Sequence, residues 1–419
     1  MQSRLYRANC ANSLYKTLVK GVVMNFEFYN PTKVLFGKGN LEKLGEVVKA
    51  FGNKALLVTG GGSVKRNGTF AKAEASLKKA NVEIVECDGI EPNPKMSSVR
   101  KGVKLVKEHN CDVIVALGGG STMDCSKVIA AGALYDGDPW DMIFHGQENV
   151  YIPKKALPVI TVPTLAATGS EMDAGAVISN GDTKEKSFVE NEVLFPKVAV
   201  VDPTLTLTVP KNQTGYGICD IIVHITESYF NGVDGTPLQD AQALETIKNC
   251  IHYGLKAYEN GQDLEAREQV QWDSIVALNG FISCGTHGAF PVHMIEHTVS
   301  GIHDITHGAG LAIINPAWMK FTIKHGGNVK KFVDFATFLF NVKDTGDDEK
   351  TALEGVAKYE EFLKKIGCPT RFKDLGIDDS KFEDYADITL KVIHDENGNL
   401  PARPSLTKQD IIEILNLAK

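Results

Sequence analysis

The 419-residue chain lacks any run of about 18 apolar residues, so no helical segment is expected to cross a membrane. It also lacks a basic stripe. Lys and Arg number 45 against 52 Asp and Glu, a formal net charge of -7, which argues against nucleic-acid binding through phosphate neutralisation. The eight cysteines at 10, 87, 111, 125, 219, 250, 284 and 368 never form CxxC. That excludes a zinc ribbon or redox dithiol and points to reduced thiols in a cytoplasmic protein. HExxH and GxSxG are missing, so neither the common zinc-protease pattern nor a serine nucleophile elbow is supported. GxGxxG and GK[ST] are missing too, which removes the usual Rossmann fingerprint and the P-loop. Acids are absent before Glu27, while Arg4, Arg7, Lys16 and Lys20 are present. This stretch has no continuous apolar core of a secretory signal. Met24 opens "MNFEFYNPTKVLFGKGN", which reads like a domain start. Residues 1–23 are therefore read as an N-terminal extension, an early start codon in preference to a targeting segment.

What is present divides the chain in two. From about 25 to 210, short β-branched runs alternate with helical stretches. "KALLVT" (54–59), "NVEIVEC" (81–87), "CDVIVAL" (111–117), "ALPVITV" (156–162), "AVISN" (176–180) and "KVAVVD" (197–202) read as strands. Helices fit 69–79 and 96–109. This is the pattern of a layered, largely parallel α/β domain. After Pro210 helical spacing dominates, over 212–230, 237–260, 265–283, 291–300 and 353–366. The expected domains are 24–209, α/β and dinucleotide-binding, and 210–419, helical and metal-binding. A cleft between them is the expected site.

Two glycine runs follow strands. "GGGS" at 60–63 ends "KALLVT", and "GGGS" at 118–121 ends "CDVIVAL". Glycine lets a backbone approach a phosphate closely, and ligands of open parallel sheets bind at these strand ends. The second run precedes a helix, whose first amides attract anions. No acid follows the strand at Gly60, where an NAD site usually places one for the ribose hydroxyls. Lys65 and Arg66 follow instead, and they favour NADP over NAD. In "TVPTLAATGSE" (161–171), Thr161, Thr164, Thr168 and Ser170 offer hydroxyls either to a cofactor or to a helix cap.

Four of the eleven histidines crowd into "HMIEHTVSGIHDITHG" (293–308), at 293, 297, 303 and 307. Upstream, "GYGICDIIVHITESYF" (215–230) carries Asp220 and His224, four apart and so on one helix face. His293 and His297 share a face in the same way. His303 and His307 form a third pair, broken or shortened by Gly301 and Gly308. A carboxylate with several imidazoles suits divalent iron or zinc, not magnesium or calcium.

The motifs "VLFGKG", "GGGSVKRNG", "EPNP", "GGGSTMD", "TVPTLAATGSE", "DIIVHITESY" and "HMIEHTVSGIHDITHG" together resemble the iron-containing alcohol dehydrogenase family, and within it the butanol dehydrogenase branch. The resemblance runs from about Met24 to the C terminus. It implies an N-terminal dinucleotide-binding α/β domain and an all-helical metal domain, the dehydroquinate synthase-like fold. It implies alcohol–aldehyde interconversion with NAD(P)(H) and ferrous iron, or zinc. The family's metal ligands map onto Asp220, His224, His293 and His307. Its dinucleotide contacts map onto Gly61, Gly62, Ser63, Asn93, Gly119, Gly120, Ser121, Thr161, Thr164 and Lys186. His297, and behind it His303, are the candidates for moving a proton. Gly60 stands where NAD-using members often carry Asp, which again favours NADP(H). A short alcohol or aldehyde such as butanol or butanal is the expected substrate, with "NPAWM" (315–319) a candidate greasy wall and a homodimer the expected assembly. The alternatives are a polyol dehydrogenase or a dehydroquinate synthase-like metal lyase, and further off a non-enzymatic dinucleotide sensor.

Overall fold

The computed structural model describes residues 25–147 and 149–419. The extension read at 1–23 lies outside the described residues. Strands β1 (Lys33–Phe36), β2 (Lys54–Gly60), β3 (Glu83–Ile90), β4 (Val113–Gly118), β5 (Val159–Pro163) and β8 (Val198–Val201) form one sheet in the order β1-β8-β5-β4-β2-β3. Every pairing in it is parallel. Such a sheet buries both faces, which is why its strands read as continuous Val/Ile/Leu runs; every residue of β4 and β5 is buried. The helices between the strands carry one apolar stripe each. α1 (Leu44–Lys49), the single turn α2 (Ser63–Arg66), α3 (Thr69–Lys79), α4 (Met96–His109) and α5 (Gly120–Gly132) complete the layers. On α4 the stripe is Met96, Val99, Gly102, Val103 and Val106, the three-to-four spacing of a helix laid on a sheet.

Two strands depart from the expected pattern. "AVISN" does not join the parallel sheet. It forms β6 (Gly175–Asn180), paired antiparallel with β7 (Glu185–Glu190) as a separate ribbon. β3 runs to Ile90, three residues past the expected end, because the register shifts between Val58 and Gly60 and pairs Gly60 with Ile90.

The remaining chain is helical: α6 (Lys211–Phe230), α7 (Pro237–Glu259), α8 (Leu264–Leu278), α9 (Pro291–His303), α10 (His307–Lys324), α11 (Val329–Phe340), α12 (Asp348–Lys365), α13 (Phe382–Val392) and α14 (Lys408–Leu417). α8 stops at Leu278, short of the expected 283, where Gly280 takes a φ of 89°. α6 and α10 are buried on nearly every side, as expected of helices at the centre of a bundle. Phe230 of α6 stacks on Phe332 of α11 with ring centroids 3.8 Å apart. Truncating such a ring to Ala typically costs about 3–5 kcal/mol.

The two halves are tied across a cleft. Asn30 Nδ2 donates to the carbonyls of Met172 (2.8 Å) and Asn279 (2.9 Å). Gln271 of α8 donates to the buried Glu171 at 2.9 Å. Among the described residues no helix is long and apolar enough to cross a membrane.

Candidate active site

The helical side of the cleft is built by three helix segments meeting at one carboxylate. Asp220 lies midway along α6, His224 one turn later, His293 in the first turn of α9, and His307 at the first position of α10. α9 and α10 are not one helix. Asp304 takes the left-handed conformation (φ 52°) and ends α9, so the chain turns and His307 restarts it. α10 then comes very close to its neighbours. A Cβ on Gly308 would lie 2.2 Å from the Tyr216 carbonyl oxygen, and one on Gly310 would lie 2.8 Å from Glu296. Glycine at both positions lets His307 reach the site.

Asp220 Oδ1 is 3.5 Å from His224 Nδ1, 3.7 Å from His293 Nε2 and 3.7 Å from His307 Nε2. The His224 ring stacks on His293 at 4.5 Å. Ligand atoms of Asp220, His293 and His307 all fall within 4.8 Å of one another. Asp220 Oδ1, His224 Nδ1 and His293 Nε2 are buried without a hydrogen-bond partner among the described residues. Orphaned buried donors and acceptors are costly, and a carboxylate with three imidazoles is a donor set for a divalent transition metal. The residues therefore fit such an ion.

Two acids that the sequence reading passed over hold the imidazoles. Glu227 contacts His293 Nδ1, and Glu296 contacts His307 Nδ1. Both leave Nε2 aimed at Asp220. Glu227 also accepts the α9 amides of Val292 (2.5 Å) and His293 (3.4 Å), so it caps the helix whose histidine it orients. The available signal was an acid in the middle of each apolar helix, "HITESY" and "HMIEH".

The electrostatics favour a cation. Burial alone would raise the Asp220 carboxyl, but the imidazoles of His224, His307 and His293 outweigh it and bring it down to about 2. Burial lowers His224 to about 4. Burial also works against a charged His293, yet Glu227 and Asp220 carry it up to about 9. A positive charge at Nε2, a proton or a metal, is what these acids stabilise.

His297 lies one turn beyond His293, with ring centroids 6.2 Å from His293 and 5.6 Å from His307. It lines the cleft. Burial first, then the Lys186 ammonium, hold it well below the ordinary imidazole range and keep it neutral. His303 is not brought to this cleft: its Nε2 contacts the Tyr385 hydroxyl.

The cleft has a volume of about 1470 Å³. On its sheet side the expected dinucleotide residues are only partly gathered. Asn93, Gly120, Ser121 and Lys186 line it. Lys186 Nζ donates to Asn93 Oδ1 (2.9 Å) and Ser300 Oγ (2.8 Å) and stands 3.6 Å from Glu296. Lys186 thereby couples the sheet side to the carboxylate behind His307. Thr161 is fully buried inside β5 and does not face the cleft. The Thr164 amide is held by the Gly118 carbonyl at 3.0 Å. Gly119 starts the turn before α5. Gly61, Gly62 and Ser63 lie beyond the enclosed cleft, at the end of β2. β2 and β4 are neighbours, and the strand order reverses between them. That is where an open parallel sheet binds a dinucleotide, so the two glycine turns fit one. "NPAWM" is not a wall of the cleft, because Asn315, Pro316, Ala317, Trp318 and Met319 are buried in α10. The apolar lining comes from Phe144, Phe188, Phe290, Met294, Leu400 and Pro401.

Residues 31–203 match the iron-containing alcohol dehydrogenase model, and residues 214–418 match the Fe-containing alcohol dehydrogenase C-terminal model. The chain belongs to the iron-containing alcohol dehydrogenase family. Within it the chain falls in the butanol dehydrogenase-like branch. It is 41% identical over 392 residues to NADH-dependent butanol dehydrogenase A of Clostridium acetobutylicum, covering 94% of this chain and 99% of that one. It is 42% identical to the probable NADH-dependent butanol dehydrogenase 1 of Bacillus subtilis, covering 94% and 99%. The crystal structure of NADH-dependent butanol dehydrogenase A from Thermotoga maritima superposes with a TM-score of 0.89 at 40% identity, covering 94% of this chain and 98% of that one. This iron-containing alcohol dehydrogenase is a metal-dependent enzyme that works with NAD(P).

One expectation is overturned here. NADP was favoured over NAD because Lys65 and Arg66 follow Gly60, yet these relatives are NADH-dependent. Lys65 is not a free cation. Its Nζ contacts Glu86 and lies 3.2 Å from Asp88. Both acids come from β3, the neighbouring strand, so a search after β2 alone does not meet them.

Proposed function

We propose that this alcohol dehydrogenase interconverts short aliphatic aldehydes such as butanal with their alcohols, using NADH. The observation that carries the reading is the convergence of His224, His293 and His307 on Asp220 Oδ1, within 3.5–3.7 Å, at the base of an apolar cleft. Asp220, His224, His293 and His307 hold iron in this reading. When bound, the ion supplies Lewis acidity towards a carbonyl oxygen and the dinucleotide supplies the hydride.

The protein's own part is placement and proton handling. Glu227 and Glu296 fix the tautomers of His293 and His307 so that both Nε2 lone pairs face Asp220. Asp220 contributes the one negative charge among the four ligands. Ser121 and Gly120 open onto the cleft at the start of α5, where first-turn amides suit a diphosphate. Phe290 and Met294 give the substrate a dry wall. His297, neutral and buried, takes up the alcohol proton in oxidation, and in reduction its protonated imidazolium form returns a proton to the substrate oxygen. Lys186 is the one Lys or Arg among the described cleft-lining residues. That poverty of cations favours an uncharged aldehyde over a polyol phosphate. Exposed Phe28, Leu238 and Phe281 form an apolar surface that supports a homodimer.

Protein purified without oxygen, stripped of metal and reloaded with ferrous iron or zinc is expected to oxidise NADH when butanal is added. Folded, metal-loaded protein that leaves NADH untouched with aliphatic aldehydes would sink the reading.

A further inference from the structure

The Gly60–Ser63 turn is bordered by a charged cluster that the chemistry at the metal end does not use. Glu86 and Asp88 are two residues apart on β3 and so project to the same face. Between them and the turn lies Lys65 of α2. Its ammonium contacts Glu86 Oε1 and stands 3.2 Å from Asp88 Oδ2. It also lies over the Phe70 ring, 5.2 Å from the centroid. Lys101 of α4 holds Asp88 from the other side, 3.5 Å from Oδ1 and 3.1 Å from its carbonyl oxygen. Arg66 folds back on the turn, with Nη1 3.4 Å from the Gly61 carbonyl oxygen. A Cβ on Gly61 would meet nothing within 4 Å, so the turn is open to a ligand. The acids in turn favour the charged form of Lys65, and Lys65 favours the charged form of Asp88.

We propose that Glu86 and Asp88 select NADH over NADPH in this enzyme, by occupying Lys65 and by presenting like charge to a 2′-phosphate. The inference rests on the reading that a dinucleotide seats its adenosine end against the Gly60–Ser63 turn. A 2′-phosphate adds negative charge and needs an available cation nearby. Lys65, two positions after the glycine turn, is already shared between two carboxylates. The unphosphorylated ribose of NADH adds no charge and meets no such penalty. β2 ends in Gly60 and offers no carboxylate there; the neighbouring strand β3 supplies Glu86 and Asp88.

The test is a calorimetric titration of the metal-loaded protein with NADH and NADPH, without aldehyde. The wild-type protein is expected to bind NADH more tightly. The double variant Glu86→Gln/Asp88→Asn is expected to shift the NADPH:NADH affinity ratio by about tenfold towards NADPH, more at low salt. Adding Lys65→Ala is expected to abolish that gain, because the freed ammonium is what recruits the phosphate. In turnover the shift should appear in KM for NADPH, with kcat little changed. Equal wild-type affinity for both cofactors, an unchanged ratio in a double variant of unaltered Tm, or a gain that survives Lys65→Ala would each overturn the inference. Because the titration needs no aldehyde, failure of the aldehyde-reductase reading does not alter its outcome.

Discussion

At the metal end of the cleft, Glu227 and Glu296 face imidazoles with none of their side-chain surface exposed. At the sheet edge, Glu86 faces Lys65 with 39% of each side chain exposed. Both regions pair carboxylates with basic groups, and burial makes them different devices. A buried pair that loses one partner leaves an uncompensated charge, which is strongly unfavourable. Its geometry is therefore fixed, as a metal site requires. An exposed pair is screened by water and salt and contributes little to stability. It is free to set a preference between ligands without holding the fold.

The largest effect expected from this contrast is at the ligands. His293→Ala removes a proposed metal ligand and leaves Glu227 buried without its imidazole. Metal analysis of the purified variant should show little bound ion, and NADH-linked turnover should fall by about a thousandfold or more. Full metal content with full activity would break the comparison at its strongest point. One layer out, Glu227→Gln keeps the size and the helix-capping oxygen but removes the charge behind His293. Metal affinity should weaken about 10- to 100-fold, read by competition with a chelator.

A third buried acid sharpens the role of compensation. Among the described residues Asp273 of α8 has no cation beside it; its partner is the Asn249 amide, at 3.0 and 3.1 Å. Burial raises its carboxyl from 3.8 to about 7 against the smaller opposing pull of Asn249. The folded state therefore keeps a proton that the unfolded chain loses above 3.8. Stability from this group should fall as pH rises through that window and level off above about 7. Asp273→Asn should match the wild-type Tm near about pH 4 and exceed it near about pH 8. A Tm difference that does not vary with pH would show that the site tolerates the carboxylate. The smallest effect belongs to the exposed cluster: Lys65→Ala should leave Tm unchanged within measurement, while Lys65 still matters to NADPH in the variants above.

Much of the fold was legible because burial writes a period into the chain. The Val/Ile runs of β2, β4 and β5 and the stripes of α3 and α4 stand where the pattern puts them. α10, α11, α13 and α14 were not read, although each is a regular helix. α10 is apolar all round and offers no stripe to detect. At the candidate site, the spacing of Asp220, His224 and His293 was enough to place them on helix faces. Glu227 and Glu296 were missed because an acid in a helix usually faces water, and only packing shows these two turned inward. His303 and His307 looked alike in spacing. The turn at Asp304 sends one to Tyr385 and the other to Asp220.

The sequence by itself determined the two-part architecture, the metal-type donor set and the glycine turns, because periodicity and residue chemistry act over a few positions. The tertiary structure decided which of those residues meet. It brought Glu86 and Asp88 from β3 to Lys65 after β2, and it set Glu296 between Lys186 and His307. Charge compensation depends on distance in space, and the pairs that matter most here are joined by strand order and helix packing rather than by neighbouring positions in the chain.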